Sequence, residues 1–212
     1  MTVHSHITHF GLPGIDRIPF GMHACHFYRN RAELVAALVP YFIAGLRANE
    51  RCLWVTAPPF SAREAVQALW EKGVEDAIQA HALRILDFND WYTSSIKGLD
   101  VVQVWLNEEE RALAEGYSGL RIAGNMSFLK PDEWSTFVEY EQAVTAHFKS
   151  RRIVALCSYA LSQCNDQQMS DVLHAHHWAL QGSDTDWKWV EPPQFPRHSE
   201  GRGGIAPNSH AI

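Results

Sequence analysis

The chain has 212 residues, 46% of them hydrophobic, which is enough for one sizeable buried core. Its formal charge of −6 argues against a surface built to neutralise nucleic-acid phosphates, and the one dense basic pair, Arg151-Arg152, reads as a solvated strand entry. No apolar run reaches the roughly 18 residues of a membrane span and the first residues lack the basic and apolar regions of a secretory signal, so the expected location is cytoplasmic, with the four cysteines reduced.

Residues 1–20 form a lead-in in which Gly11-Leu12-Pro13-Gly14-Ile15-Asp16 precedes a strand at 22–28. A helix from Arg31 to Asn49 follows, with Leu34, Leu38, Tyr41, Phe42 and Leu46 spaced by three and four as a buried stripe. The turn between them reads Tyr28-Arg29-Asn30-Arg31. A phosphate loop needs glycines and a Lys-Ser/Thr pair at this point, so ATP binding by that route is not expected.

Cys52–Thr56 is a second strand, ended by Pro58-Pro59, and Ser61 with Glu64 predicts a capping box at a helix whose buried stripe is Val66 and Leu69. A strand at Leu83–Phe88, a polar loop at 89–98 and a helix over 100–115 come next. Gly119–Gly124 reads as a strand, Pro131 opens a helix running to Phe148, Ile153–Cys157 is a buried strand, and a helix over 166–175 precedes short strands at 177–181 and 186–190. The Pro-, Gly-, Ser- and His-rich segment from 192 to 212 reads as a disordered tail. Strands alternating with helices predict a three-layer α/β fold: a mainly parallel sheet with helices on both faces and the folded domain at 21–191.

Ligands of open parallel sheets gather beyond the carboxyl ends of the strands. Pooled on that rule, His23, Cys25, Tyr28, Trp54, Trp91, Asn125, Cys157, Tyr159 and His176 are the candidate ligand-binding residues. On a strand His23 and Cys25 share one face while His26 points to the other. With Cys157 and His176 they make a candidate set of N and S ligands for a transition metal, beside the plainer reading of buried thiols and hydrogen-bonded histidines in a core. Glu139 and Glu141 cannot share a helix face, which removes them as an acid/base pair and leaves Glu141 to a buried or interfacial hydrogen bond. No Gly-x-Ser-x-Gly elbow is present.

His23-x-Cys25-x-Phe27-Tyr28, Pro40-Tyr41-Phe42-x-x-Gly45-Leu46, Glu50-x-Cys52-x-Trp54-Val55, Gly116-Tyr117-x-Gly119-Leu120-Arg121-Ile122-x-Gly124-Asn125, Glu139-Tyr140-Glu141, Leu156-Cys157-x-Tyr159 and His176-x-x-Ala179-Leu180 follow one another over 21–190. In this order they resemble the MEDS domain, the sensory domain of methanogens and methylotrophs named from the dichloromethane regulator DcmR. The resemblance implies a RecA/KaiC-like fold without a P-loop, and sensing of small hydrocarbon derivatives rather than catalysis.

It also implies output through a protein partner, a histidine kinase or a transcription regulator, and by analogy a homodimer. The expected function is therefore a non-catalytic sensor that takes a small apolar ligand and contacts neither nucleic acid nor membrane. A metal or redox protein built on the His/Cys set is the first alternative. A ligand-free scaffold in a kinase or sigma-factor system, presenting Glu108-Glu109-Glu110 to its partner, is the second.

Overall fold

A computed structural model describes residues 6–91, 99–183 and 186–190. The loop expected at 89–98 is described only as far as Trp91, and the tail expected at 192–212 lies outside the described residues.

Within the lead-in, an antiparallel hairpin forms from β1 (Ile7–Leu12) and β2 (Ile15–Pro19). Alternation puts Phe10, Leu12, Ile15 and Ile18 into the core, so these residues belong to the folded body. Gly11 and Gly14, both at positive φ, lie at the turn of this hairpin.

The remaining strands are β3 (His23–Tyr28), β4 (Arg51–Thr56), β5 (Leu83–Asp87), β6 (Leu120–Asn125), β7 (Ile153–Ala160), β8 (Trp178–Ser183) and β9 (Asp186–Val190). They form a seven-stranded sheet in the order β5-β4-β6-β7-β3-β8-β9. All neighbours are parallel except β8 and β9. The helices are α1 (Arg31–Arg47), α2 (Ala62–Trp70), α3 (Glu75–Gln79), α4 (Phe88–Trp91), α5 (Leu99–Ala114), α6 (Trp134–Phe148) and α7 (Asp166–Ala175).

The period-two alternation of the strands feeds two cores. Ala24, Tyr28, Trp54, Val154 and Leu156 pack with α1 and α2, whereas Cys25, Val55, Ile153, Ala155 and Tyr159 pack with α5, α6 and α7. The Ser61–Glu64 capping box forms as the sequence predicts, although Ala65 rather than Val66 joins Leu69 in the buried stripe of α2.

Two buried charge clusters tie the layers together. Arg121 and Glu50 form an ion pair of 2.6 Å with both side chains fully buried. The guanidinium also donates to the carbonyls of His9, Phe10 and Tyr41 and lies over the Tyr41 ring, so the hairpin, α1 and β6 meet on one cation. Gly45 makes room for it, because a methyl group there would overlap the Arg121 side chain.

The acidic run of α5 is only partly exposed, with Glu110 at the surface. Glu108 and Glu109 are buried, the first paired with Arg84 and Arg111 and the second with Arg151. Arg151 and Arg152 are correspondingly engaged: Arg152 donates from Nε to the Ser118 carbonyl and covers the Phe20 ring.

Candidate functional site

The strand-end residues of the sequence divide between the two faces of the sheet. On the α1 side, the Tyr28 hydroxyl donates to Asn125 Oδ1 at 2.9 Å, and Asn125 Nδ2 donates to the Ala57 and Pro58 carbonyls, each at 2.9 Å. This network closes the carboxyl ends of β3, β4 and β6 with its polar groups mutually satisfied. Trp54 stacks on Phe42 at 4.8 Å as a core side chain. Trp91 lies on the other face, stacked on Trp105 at 4.5 Å. The turn after β3 has only two residues, Arg29 and Asn30, and Asn30 caps α1 through the Glu33 N–H.

On the opposite face the structure brings His23, Cys157 and His176 together with Glu141. His23 opens β3 and Cys157 lies on the adjacent β7, both with side chains toward α6. His176 ends α7 immediately before β8, and pairing of Ala24 with Trp178 sets its ring 4.1 Å from that of His23. Glu141 enters from α6, on the same buried stripe as Phe137, Val144 and Phe148. One potential ligand atom from each of the four lies within 4.8 Å of the others. Cys25, which the sequence reading put in the metal set, is outside this group and turns its thiol to the Trp178 carbonyl at 3.7 Å.

Hydrogen bonds decide where the protons are. The Thr145 hydroxyl has a single proton and donates it to the Ala175 carbonyl at 2.5 Å, so its 2.7 Å contact with His23 Nδ1 must be accepted from an Nδ1–H. His176 Nδ1 sits 2.7 Å from the Val172 carbonyl and must likewise carry a proton. With a proton fixed on Nδ1, the neutral form of either ring presents its lone pair at Nε2. These nitrogens lie 3.1 and 3.2 Å from Glu141 Oε2, and His23 Nε2 is 3.3 Å from Cys157 Sγ.

Neither Glu141 oxygen is hydrogen-bonded, nor is His176 Nε2 or the buried Tyr159 hydroxyl. Burial and the neighbouring His176 bring His23 down to about 4, which keeps it neutral near neutral pH. Burial opposes ionisation of Glu141, while the adjacent His176 and His23 bring its carboxyl down to about 2, an influence that calls for positive charge in the centre. Burial and the Glu141 charge push the Cys157 thiol well above its ordinary range, so as it stands it is not a thiolate nucleophile.

Glu141 and Thr145 are the site residues that the sequence reading missed. A carboxylate at 141, spaced by four from Phe137 and by three from Val144 on an apolar stripe, was the signal for the first. Nothing local marks the second.

Beyond this centre, at the carboxyl ends of β6 and β7, lies a cavity of about 80 Å³ lined by Met126, Leu129, Trp134, Tyr159 and Cys164 among others. Tyr159 is common to both places: its ring stands 5.9 Å from that of His176. A much larger open groove, about 1400 Å³, runs along α1 and α2 and contains none of these residues. Among the described residues no helix is long and apolar enough to cross a membrane.

The fold is shared with solved structures at low sequence identity. The flagellar accessory protein FlaH from Methanocaldococcus jannaschii matches with a TM-score of 0.54 and 11% identity, over 85% of this chain and 84% of that one. The KaiC-like protein PH0186 from Pyrococcus horikoshii OT3 matches with a TM-score of 0.53 and 13% identity, over 85% and 83%. The RecA/KaiC-like architecture expected from the resemblance is thereby shown. No curated protein matches the chain. The model of the methanogen/methylotroph DcmR sensory domain matches residues 22–177, a span that takes in β3 through α7 and all four side chains of the buried centre, and the chain belongs to this MEDS family.

Proposed function

We propose that this sensory domain detects a small, largely apolar molecule and does no chemistry on it. The observation that carries the reading is the cavity of about 80 Å³ at the carboxyl ends of β6 and β7, where Met126, Leu129 and Trp134 supply apolar walls. It is about half the size of the roughly 150 Å³ apolar cavity that accommodates benzene, which suits a compound of one or two carbons. The sequence reading placed the ligand at strand carboxyl ends, and this cavity supports that placement through Tyr159 rather than through Tyr28 and Asn125.

Tyr159 gives the cavity a route to the protein interior. A molecule pressing on its ring shifts a residue packed against His176 and Phe137. Binding then favours one arrangement of α6 and α7, and a histidine kinase or transcription regulator reads the change. The glycine-free, two-residue turn after β3 supports a role without nucleotide hydrolysis.

The test is thermal unfolding in the presence of one- and two-carbon halogenated and methylated compounds and small thiols. At least one of them is expected to raise the midpoint saturably and to alter Trp134 fluorescence. Cys164→Phe, which fills the cavity, is expected to abolish both effects. The reading is overturned by a silent series, or by a shift that Cys164→Phe leaves unchanged.

A further inference from the structure

We infer that His23, Glu141, Cys157 and His176 bind one divalent transition-metal ion, through the two Nε2 atoms, a carboxylate oxygen and Sγ. The site goes beyond the apolar-ligand reading and does not depend on it.

The first argument is the direction of the protons. Thr145 and the Val172 carbonyl hold the Nδ1 protons of His23 and His176, so the neutral rings turn both Nε2 lone pairs toward Glu141 Oε2, that of His23 lying also 3.3 Å from Cys157 Sγ. Lone pairs facing a carboxylate at these distances repel one another; one proton on the carboxyl relieves one of the two contacts, whereas a cation between them relieves both. An Nδ1–H tied to a carbonyl or hydroxyl is also the second layer that metal-bound histidines use to fix tautomer and ring orientation.

The second argument is the orphaned polar atoms. Glu141 and His176 are buried in the layer between the sheet and α6, yet both carboxylate oxygens and the imidazole Nε2 are without hydrogen bonds. Unsatisfied polar groups at such depth are costly, and a buried carboxylate more so. A dication meets all of them at once, and with one carboxylate and one thiolate the centre has no net charge.

The third argument is spacing and donor type. Ligands about 2.0–2.3 Å from a tetrahedral zinc ion lie about 3.3–3.8 Å from each other. Three of the separations here are 3.1, 3.2 and 3.3 Å and all lie within 4.8 Å, so side-chain adjustments of about 1 Å bring the set to that geometry. A set of two imidazoles, one thiolate and one carboxylate suits zinc, iron(II) or cobalt(II) rather than calcium or magnesium. Binding releases the Cys157 thiol proton to solvent as the metal–sulfur bond forms. The last turn of α7 contributes as well, since its carbonyls place partial negative charge near the ion.

Cobalt(II) titrated into chelator-treated protein tests the site. The expected result is saturation at one ion per chain, with the strong visible bands of a four-coordinate centre and a thiolate-to-cobalt charge-transfer band. Zinc is expected to displace them. The charge-transfer band should vanish in Cys157→Ser and persist in Cys25→Ser and in Cys164→Phe, the last of which separates this site from the apolar cavity. X-ray absorption of the wild-type zinc form, expected to show one sulfur and three nitrogen or oxygen neighbours, decides the matter if Cys157→Ser does not fold. Wild-type protein that develops no bands, a charge-transfer band that survives in folded Cys157→Ser, or a zinc shell with no sulfur overturns the assignment.

Discussion

Thr145 fixes the tautomer of His23 by giving its only hydroxyl proton to the last residue of α7, at the Ala175 carbonyl, and accepting from the ring at 2.7 Å. The relationship joins α6, β3 and α7 through one side chain. In Thr145→Val the acceptor is gone, whereas Thr145→Ser keeps it. Nitrogen NMR of metal-free protein is expected to show His23 protonated at Nδ1 in the wild type and in Thr145→Ser, and a tautomer mixture in Thr145→Val. The same substitution should weaken cobalt binding about 10–100-fold, the usual cost of losing a partner of a ligating histidine.

The Arg121–Glu50 pair makes a prediction about stability alone. Both side chains are fully buried, and removing one leaves the other charge without its partner. Arg121→Met or Glu50→Leu is expected to cost about 3–5 kcal/mol in urea unfolding, while the double substitution regains part of that loss, since both desolvated charges are gone but the carbonyls of His9, Phe10 and Tyr41 lose their donor. Equal losses in the single and double variants would contradict this account.

His26 predicts an acid sensitivity on the other face of β3. Burial brings its pKa from 6.5 down to about 4, against a small opposing influence of Glu33. The unfolded chain therefore binds a proton that the folded chain refuses, and stability falls as pH drops from about 6.5 to about 4. The size is roughly 3 kcal/mol from the shift. His26 contacts Ser158, Tyr28 and Trp187, none of which supplies a charge to offset protonation. Urea midpoints of His26→Gln at a series of pH values should show a shallower decline than the wild type, with the part due to His23 remaining.

Asn125 makes a prediction opposite to that of a ligand-binding amide. Its side chain accepts from Tyr28 and donates to two carbonyls of the β4 turn, so Asn125→Ala strands a buried phenol and frees the Pro58 segment. The expected result is a loss of roughly 1–3 kcal/mol, with cobalt binding unchanged, read by urea unfolding and by the cobalt spectrum.

Periodicity made the sheet and most helices legible, because the central strands alternate between two cores and the longer helices each bury one stripe. His23, Cys157 and His176 were legible as metal-capable residue types at strand and helix ends. Cys25 entered the same set because it shares a strand face with His23, but side-chain direction, set by the Trp178 carbonyl, turned it away. Helix geometry separates Glu141 from Glu139 and leaves it a buried hydrogen bond, but its neighbours His23 and His176 come from other elements, which spacing along one helix does not report. The partial burial of the acidic run of α5 was hidden for a related reason: Arg84, Arg111 and Arg151, which pair with it, include residues distant in sequence.

Both rings of the buried centre rest on carbonyls from the final turn of α7, His176 on Val172 and His23, through Thr145, on Ala175. These are carbonyls that a helix leaves without partners at its carboxyl end. Unwinding that single turn would release both imidazoles together, and the junction into β8 with them. The two nitrogen donors thus share one mechanical support, so the order of the helix end and the geometry of the centre rise and fall as a unit.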